Sequence, residues 1–185
     1  MENINQLEKF WSKKKIFITG HTGFKGSWLS IILTYLNSSV NGFSLKPKKN
    51  SLFNKSMISK DLKSNTYANI NNIKKLEKKI KQCKPEIIFH LAAQPLVLDS
   101  YKEPLKTFNT NMIGTLNLLE VIRRVKSVKS VVIITTDKVY KIRKDNKPYK
   151  ELDQLGGLDP YSASKVGAEI VVDSYIKSFF RNSNL

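Results

Sequence analysis

Cysteine, acidic residues and long apolar runs are scarce in this sequence, and each shortage narrows the class of protein. Cys83 is the single cysteine, so no disulfide can form within the chain and a reducing compartment is expected. No apolar run approaches the ~20 residues needed to span a bilayer, and residues 1–15 contain no apolar signal-peptide core. The sequence therefore predicts a cytoplasmic protein with no membrane partner.

Acidic residues number 15 against 32 lysines and arginines, which gives a formal net charge of +17. A nucleic-acid-binding protein would concentrate such charge in a basic patch. Here all but four of the basic residues are lysines, and they are spread along the whole chain. Because asparagine, isoleucine and serine are also abundant, we interpret the excess as compositional drift and predict no nucleic-acid partner. We also predict no metal site.

The apolar pattern alternates between short strands and longer helices. A chain of 185 residues with 41% hydrophobic content can form one domain with a sizeable core. Such alternation predicts an α/β fold of the Rossmann type, a doubly wound parallel sheet with helices on both faces. The predicted strands are 14–20, 40–45, 66–70, 85–93 and 130–136, and the predicted helices are 26–38, 71–83, 104–125 and 159–180, with 50–64 irregular.

A glycine loop follows the first strand and opens the first helix. Gly20, Gly23 and Gly26 form a Gly-x-x-Gly-x-x-Gly pattern in "ITGHTGFKG". Glycines here permit a tight turn and the close approach of a diphosphate, which then sits on the N–H groups of the helix N-terminus. In this strand–turn–helix context the pattern predicts a dinucleotide site. We interpret His21, inside the loop, as a loop residue rather than a catalyst.

An acidic residue usually follows the second strand of a dinucleotide site and binds the adenosine ribose. Lys46 and Lys48 occupy that region here. A lysine there could favour the 2′-phosphate of NADP, or it could be one more surface lysine, and we favour the second interpretation. The residues alone leave the choice between NAD and NADP open.

Two further groups of polar residues point to catalysis. Tyr161 and Lys165, in "YSASK", lie one helical turn apart on one face. An ammonium beside a phenol favours the phenolate, so Tyr161 is a candidate acid–base for a substrate hydroxyl. Thr136, Asp137 and Lys138 come at the end of the fifth strand, and ligands of parallel sheets bind at the carboxyl ends of strands. Together with the glycine loop, these groups predict one crevice.

Longer motifs extend over almost the whole chain. They are "GHTGFKGSWLS" (20–30), "PEIIFHLAAQPLV" (85–97), "TNMIGT" (110–115), "TTDKVY" (135–140) and "LGGLDPYSASK" (155–165). On these motifs the chain resembles the CDP-glucose 4,6-dehydratases, a family of the extended short-chain dehydrogenase/reductase superfamily of NAD-dependent epimerases and dehydratases. The pair Asp137-Lys138 is specific, because the related dTDP-glucose dehydratases have Asp-Glu at those two positions.

The resemblance implies a lyase that converts CDP-glucose to CDP-4-keto-6-deoxyglucose by NAD-mediated internal hydride transfer and loss of water, a step in deoxysugar and lipopolysaccharide O-antigen biosynthesis. Tyr161, helped by Lys165, would take the proton of the sugar O4, and Thr136 would hydrogen-bond that hydroxyl. Asp137 suits the acid that protonates the leaving hydroxyl, and Lys138 would act as, or assist, the base at C5. The division between these last two roles stays open.

The resemblance also implies a set of binding residues and an assembly. Helices 104–125 and 159–180 are those that pair in the homodimers of this superfamily, and the substrate would be a nucleotide-sugar. NAD would be held by Gly20, Gly23, Phe24, Gly26, Leu91, Ala92 and Ala93, with Tyr161 and Lys165 beside it.

The chain departs from the family in length and at particular positions. The family is nearly twice as long, so residues 1–185 are expected to be an incomplete NAD(P)-binding Rossmann domain, truncated after the Tyr-x-x-x-Lys helix and lacking the C-terminal substrate domain. The fifth strand would then be an uncovered apolar edge. Lys46, Asn69 and residues 142–144 replace family residues near cofactor and substrate. Two alternatives to a working dehydratase stay open: an inactive or partner-dependent nucleotide-binding remnant, and a related epimerase or dehydratase that uses another nucleotide.

Overall fold

A five-stranded parallel sheet organises the structure. The computed structural model describes residues 2–145 and 147–180. The strand order is β3-β2-β1-β4-β5, and every neighbouring pair is parallel. The connection from β3 to β4 therefore crosses the sheet, and the strand order reverses between β1 and β4. Open α/β sheets bind ligands at such a switch point. The strands are β1 Lys15–Thr19, β2 Ser39–Ser44, β3 Ser64–Tyr67, β4 Ile87–His90 and β5 Ser130–Ile133.

Helices connect the strands and cover the sheet, so the predicted Rossmann-type architecture is confirmed. They are α1 Glu2–Trp11, α2 Phe24–Tyr35, α3 Leu52–Lys55, α4 Ile73–Cys83, α5 Val97–Lys102, α6 Pro104–Phe108, α7 Gly114–Ile122 and α8 Pro160–Tyr175. Wide π turns follow α6 (Asn109–Ile113) and α8 (Ile176–Phe180). In the part of the chain that the structure describes, no helix is both long and apolar enough to cross a membrane.

The core lies on both faces of the sheet because successive strand residues point to opposite sides. In β1, Ile16 and Ile18 enter one apolar cluster and Phe17 enters the other. The burial of both faces is what a parallel sheet between two helical layers requires. The first cluster adds Leu33, Val40 and Phe53, and the second adds Phe43, Leu76, Ile80, Ile88, Leu118 and Ile122.

Three helices lie outside the elements that the sequence predicted. Helices α1 and α5 lie in segments that were assigned no element, and α3 lies in the segment 50–64 that was expected to be irregular. The helix predicted over 104–125 runs from Pro104 to Ile122 with helical backbone throughout, and its middle turn, Asn109–Ile113, is π-helical. The π turn carries Asn111, whose buried side-chain amide bonds other segments rather than its own helix.

Strand β5 forms one end of the described sheet, as the sequence predicted. It pairs with β4 on one side only, and the Val132 side chain is 40% exposed. The strand ends at Ile133 rather than at the predicted residue 136. Thr135 and Thr136 therefore lie beyond the strand, on the segment that leads to Asp137.

Candidate functional site

The glycine loop between β1 and α2 is built so that side chains cannot enter it. Gly20 has φ +74°, and a Cβ there would lie 2.6 Å from backbone atoms of Leu91 and Ala92. A Cβ on Gly26 would lie inside the contact distance of the Gly20 carbonyl oxygen. Gly23 is the N-cap of α2, and no side chain caps this helix end. The loop thus brings backbone close to the start of a helix that is open to an anion.

His21 is buried beneath this loop. Its Nε2 lies 2.7 Å from Asn65 Oδ1, and its ring meets the Phe53 ring edge to face at 5.2 Å. Gly42 of β2 leaves room for the imidazole, because a Cβ there would lie 2.4 Å from a ring carbon. Burial lowers the pKa of His21, although the Asn65 hydrogen bond opposes the shift. These contacts agree with the interpretation of His21 as a loop residue.

Thr22 of the glycine loop forms hydrogen bonds with residues at the end of β2. The Thr22 hydroxyl donates to the Leu45 carbonyl at 3.0 Å and lies 2.8 Å from Ser44 Oγ, so it ties the glycine loop to the end of β2. Lys46 follows directly and is exposed. The position at which an acidic residue was expected therefore holds a solvent-facing cation.

Lys165 joins α8 to the end of β5. Its ammonium donates a hydrogen bond to the Ile134 carbonyl at 2.9 Å and is almost fully buried. Burial lowers the pKa of Lys165 to about 8; the charge of Glu169 opposes the shift, and Lys25 in the first turn of α2 adds to it. Lys25 belongs to the first turn of the helix that the glycine loop opens.

Tyr161 lies one turn before Lys165 at the start of α8. Asp159 caps the helix by accepting from the Ser162 N–H at 3.0 Å and from the Ser162 hydroxyl at 2.6 Å, with Pro160 at the first helical position. The predicted pair thus shares one helix. Among the described residues, the Lys165 ammonium is hydrogen-bonded to Ile134 and not to the Tyr161 hydroxyl.

Asp137 and Lys138 lie on a short 3-10 turn just beyond β5. The Thr136 hydroxyl donates to Asp137 Oδ1 at 3.1 Å, and its oxygen accepts from the Lys138 N–H at 3.4 Å. Both charged side chains are exposed at the mouth of a cavity of about 240 Å³, which Asp159 and Ser162 of α8 also line. The structure therefore brings the Asp137–Lys138 turn and the first turn of α8 to one cavity.

An aromatic flap, residues 140–145 and 147–156, lies beside the same cavity, which Tyr140, Ile142, Tyr149 and Gly156 line. The Tyr140 and Tyr149 rings stack at 4.9 Å with 5° between their planes, and the Arg143 guanidinium lies 4.5 Å from the Tyr149 ring centre. Arg143 also pairs with Asp153 at 2.8 Å. Residues 142–144 replace family residues, as noted above, but the stacked platform that Tyr149 forms with Tyr140 was not predicted.

Sequence reasoning also missed a set of buried polar side chains around the carboxyl ends of β1 and β4. The signal available was polar residues at the ends of apolar strands: Thr19 ends β1 and His90 ends β4, and the two are paired in register. Leu91, Ala92 and Ala93 continue from His90, and the Leu91 N–H donates to the Thr19 carbonyl at 3.0 Å. Further members of the set are Asn111, Thr115 and Ser164.

The parallel sheet, the glycine loop and the Tyr-x-x-x-Lys helix together define a dinucleotide-binding protein of the extended short-chain dehydrogenase/reductase class. Residues 17–182 match the family model described as GDP-mannose 4,6 dehydratase, and the chain belongs to that family. Among solved structures, the dTDP-glucose 4,6-dehydratase of Bacillus anthracis, in complex with NAD, aligns with a TM-score of 0.75 at 26% identity, over 90% of this chain and 52% of that one.

Curated relatives give a finer similarity. The chain is 46% identical over 178 residues to the CDP-glucose 4,6-dehydratase of Salmonella typhimurium, covering 96% of this chain and 49% of the relative. It is 35% identical to the dTDP-D-glucose 4,6-dehydratase of Dictyostelium discoideum, covering 90% of this chain and 41% of the relative. The chain thus spans about half the length of the curated relatives it matches.

Proposed function

We propose that this chain is the cofactor-binding and catalytic half of a sugar-nucleotide 4,6-dehydratase that converts CDP-glucose to CDP-4-keto-6-deoxyglucose. The observation that carries the proposal is the 46% identity to a CDP-glucose 4,6-dehydratase along 96% of the chain. The exposed Asp137–Lys138 turn beside the first turn of α8 supports it, because both chemical groups that the elimination needs meet at one cavity.

The residues around the glycine loop fit a dinucleotide. Gly20 and Gly26 have no room for a Cβ because protein backbone lies against both, so the loop forms a close backbone cradle, and the start of α2 has no side-chain cap to compete with a diphosphate. Gly23 and Phe24 begin that helix, and Leu91, Ala92 and Ala93 would form the opposite wall of the site. NAD bound there would supply the hydride-accepting and hydride-donating chemistry that the exchange between C4 and C6 of the sugar needs.

We assign the removal of the proton from the sugar O4 to Tyr161. In this proposal its phenolate takes that proton while Thr136 hydrogen-bonds the same oxygen. Lys165 supplies a positive charge one helical turn after Tyr161, with its ammonium held on the Ile134 carbonyl.

The elimination across C5 and C6 is assigned to Asp137 and Lys138. Once C4 is a ketone, the C5 proton is acidic and can pass to a base, while the C6 hydroxyl needs a proton to leave as water. Lys138 suits the base and Asp137 suits the acid, and both face the cavity. Without substrate the Thr136 hydroxyl donates to Asp137, and this single proton would turn to O4 when the sugar binds.

The decisive test follows a label from C4 to C6. CDP-glucose carrying deuterium at C4, incubated with the 185-residue chain and NAD, should give a 4-keto-6-deoxy product with deuterium at C6, read by NMR. Tyr161→Phe should lower the rate by ~10²–10⁴-fold, the usual contribution of a general acid–base. Tyr35→Phe, at a tyrosine that is 79% exposed on α2, is the control and should leave the rate unchanged.

Other outcomes of that experiment identify the alternatives. Stabilisation by NAD without any product would identify a nucleotide-binding remnant that needs a partner. Faster turnover of a glucose linked to another nucleotide would identify a related dehydratase. A product with no deuterium at C6 would refute the internal transfer.

We further propose that the 185 residues form one incomplete NAD-binding domain whose substrate lobe lies outside this sequence, and that the protein is a cytoplasmic homodimer that serves deoxysugar and O-antigen synthesis. The two subunits would pair through the helices within residues 104–125 and 159–180. Apolar side chains protrude from this layer although α6 and α8 are packed together. Leu105 is 75% exposed and Ile170 is 58% exposed.

Ile170→Lys should therefore convert the dimer to a monomer. A lysine placed in an apolar interface loses hydration without gaining a partner, which costs several kcal/mol for each subunit. Sedimentation should give about the 21.2 kDa monomer mass for the variant and twice that mass for the unchanged chain. Ile32→Lys is matched in chemistry and 50% exposed on α2, so it should leave the dimer intact. A monomeric unchanged chain would contradict this assembly.

A further inference from the structure

We propose that His90 is a positioning residue: fixed as one neutral tautomer in a directed chain of buried hydrogen bonds, it holds the 91–94 loop in register with the π turn Asn109–Ile113. The 91–94 loop is the proposed wall of the cofactor site. The consequence for cofactor binding therefore rests on the proposed function, whereas the tautomer and the loop register do not.

The direction of each hydrogen bond around His90 is forced by its partners. Thr115 Oγ1 lies 2.7 Å from the Asn111 carbonyl oxygen, which can only accept, so the single Thr115 hydroxyl proton points there. Thr115 Oγ1 must then accept from His90 Nε2, 3.1 Å away. His90 consequently carries its proton on Nε2, and its Nδ1 is an acceptor.

The other side of the ring obeys the same logic. Thr19 Oγ1 lies 2.6 Å from His90 Nδ1 and donates to it, since Nδ1 carries no proton. The Thr19 oxygen is left to accept from the Ala92 N–H at 3.2 Å. The chain therefore runs in one direction, from the Ala92 amide through Thr19, His90 and Thr115 to the Asn111 carbonyl.

The Asn111 side chain completes the link to the loop and to α8. Its Oδ1 accepts from the Gln94 N–H at 2.8 Å, and its Nδ2 donates to the Gln94 carbonyl at 3.1 Å and to Ser164 Oγ at 2.8 Å. The Ser164 hydroxyl donates to the Tyr161 carbonyl at 2.7 Å. One network therefore fixes both ends of the 91–94 loop and reaches the helix turn that bears Tyr161.

Burial makes this network sensitive to any change. Thr19, His90, Asn111, Thr115 and Ser164 are each at most 2% exposed, so water has little access to a lost partner. Burial lowers the pKa of His90 to about 3, and the nearby charge of Lys165 adds to the shift. The His90 ring is therefore neutral throughout the pH range around 7.

The position of the 91–94 loop matters because the glycine loop rests on it. Gly20 has no room for a Cβ, since the Leu91 and Ala92 backbone lies against it. A shift of the Ala92 amide would therefore move the Gly20 turn, which is part of the proposed diphosphate cradle. A His90 that served only to fill space would not need a hydrogen-bonding ring.

The first test reads the tautomer directly and needs no variant. The chain contains two histidines, so long-range ¹H–¹⁵N NMR of ¹⁵N-histidine-labelled protein at pH 7 gives two resolvable rings. His90 should show a protonated Nε2 and an unprotonated Nδ1, and its ring should not titrate down to pH 5. A protonated Nδ1, a mixture of tautomers, or a titration above pH 5 would overturn the proposal.

The second test asks whether the ring holds the loop. In His90→Phe, the Ala92 and Gln94 amides should exchange with deuterium about 10–100-fold faster relative to the Ile18 amide of β1, because local opening loses about one or two hydrogen bonds. NAD should bind about 10-fold more weakly. His90→Gln, which retains a donor near Thr115, should recover part of both effects.

Asn41→Leu is the matched control for loss of a buried polar group. Asn41 is 5% exposed and bonds Ile16 and Ser64, away from the 91–94 loop. This variant should lower stability without changing the ratio of Ala92 to Ile18 exchange. If His90→Phe behaves like this control, His90 is ordinary core. The chain and all its variants could fail to bind NAD while His90 still carries its proton on Nε2. In that case the proposed function fails and the positioning role of His90 stands.

Discussion

Lys165→Met should make the protein more stable at pH 7 while it abolishes the proposed dehydratase activity. The pKa of Lys165 is lowered to about 8 from 10.5, so folding places a penalty of ~3 kcal/mol on the charged ammonium at neutral pH. Methionine fills similar space without a charge. Its loss of the hydrogen bond to the Ile134 carbonyl costs ~1 kcal/mol, which leaves a net gain of ~1–2 kcal/mol.

The pH dependence of this gain follows from the direction of the pKa shift. Below pH 8, Lys165 is protonated in both the folded and the unfolded chain, and the full penalty applies. Between pH 8 and 10.5 the unfolded chain binds the proton and the folded chain does not, so the stability of the unchanged protein rises with pH. Methionine removes this rise, so the advantage of the variant should shrink as the pH approaches 10.5.

Urea unfolding at pH 7 and pH 9.5 measures both effects. Lys138→Met is the matched control, because Lys138 is exposed on the neighbouring turn and should change stability by less than ~0.5 kcal/mol. Both variants should lose the product of the dehydration. A Lys165→Met protein that unfolds more easily at pH 7 would show that the buried ammonium stabilises the fold.

Gly26→Ala should abolish NAD binding, with at least a ~100-fold loss of affinity from the displaced cradle. Alanine usually stabilises a helix relative to glycine by ~1 kcal/mol. Here the added Cβ would meet the Gly20 carbonyl oxygen and lie 2.7 Å from the His21 Cα, and both are backbone atoms that cannot turn aside. The loop must therefore move, and the variant should be less stable despite its better helix propensity.

Gly167→Ala is the matched control within another helix. A Cβ at Gly167 would meet the Sδ of Met112 at 2.7 Å, and a flexible methionine side chain can rotate away. This variant should keep its NAD affinity and differ in stability by no more than ~1 kcal/mol. Calorimetric titration with NAD and thermal unfolding of both variants would check the contrast. Equal NAD binding by Gly26→Ala and the unchanged chain would contradict the role of the glycine loop.

The local parts of this architecture could be predicted from the sequence. The glycine spacing after an apolar strand and the four-residue spacing of Tyr161 and Lys165 depend on backbone sterics and the helix period. Both signals are contained within a few residues. The exposed edge of β5, by contrast, was expected from the resemblance to a family of longer chains and not from a local pattern of residues.

The remaining features depend on contacts between distant residues. Whether Lys165 meets a phenol or the Ile134 carbonyl is decided by how α8 packs on the end of β5. The role of His90 becomes visible only when β1 and β4 lie side by side in register. The Tyr140–Tyr149 stack requires the flap to fold back on itself, and no local sequence pattern predicts that fold.

The two ends of the sheet differ in chemistry, and that difference gives the sheet a preferred direction of growth. Strand β3 reads Ser-Asn-Thr-Tyr, whereas β5 reads Ser-Val-Val-Ile with Val132 exposed. An added strand gains little apolar contact beside β3 but can bury valine and isoleucine beside β5. The β5 edge is therefore the end of the described sheet at which an added polypeptide segment would be stabilised more by apolar burial.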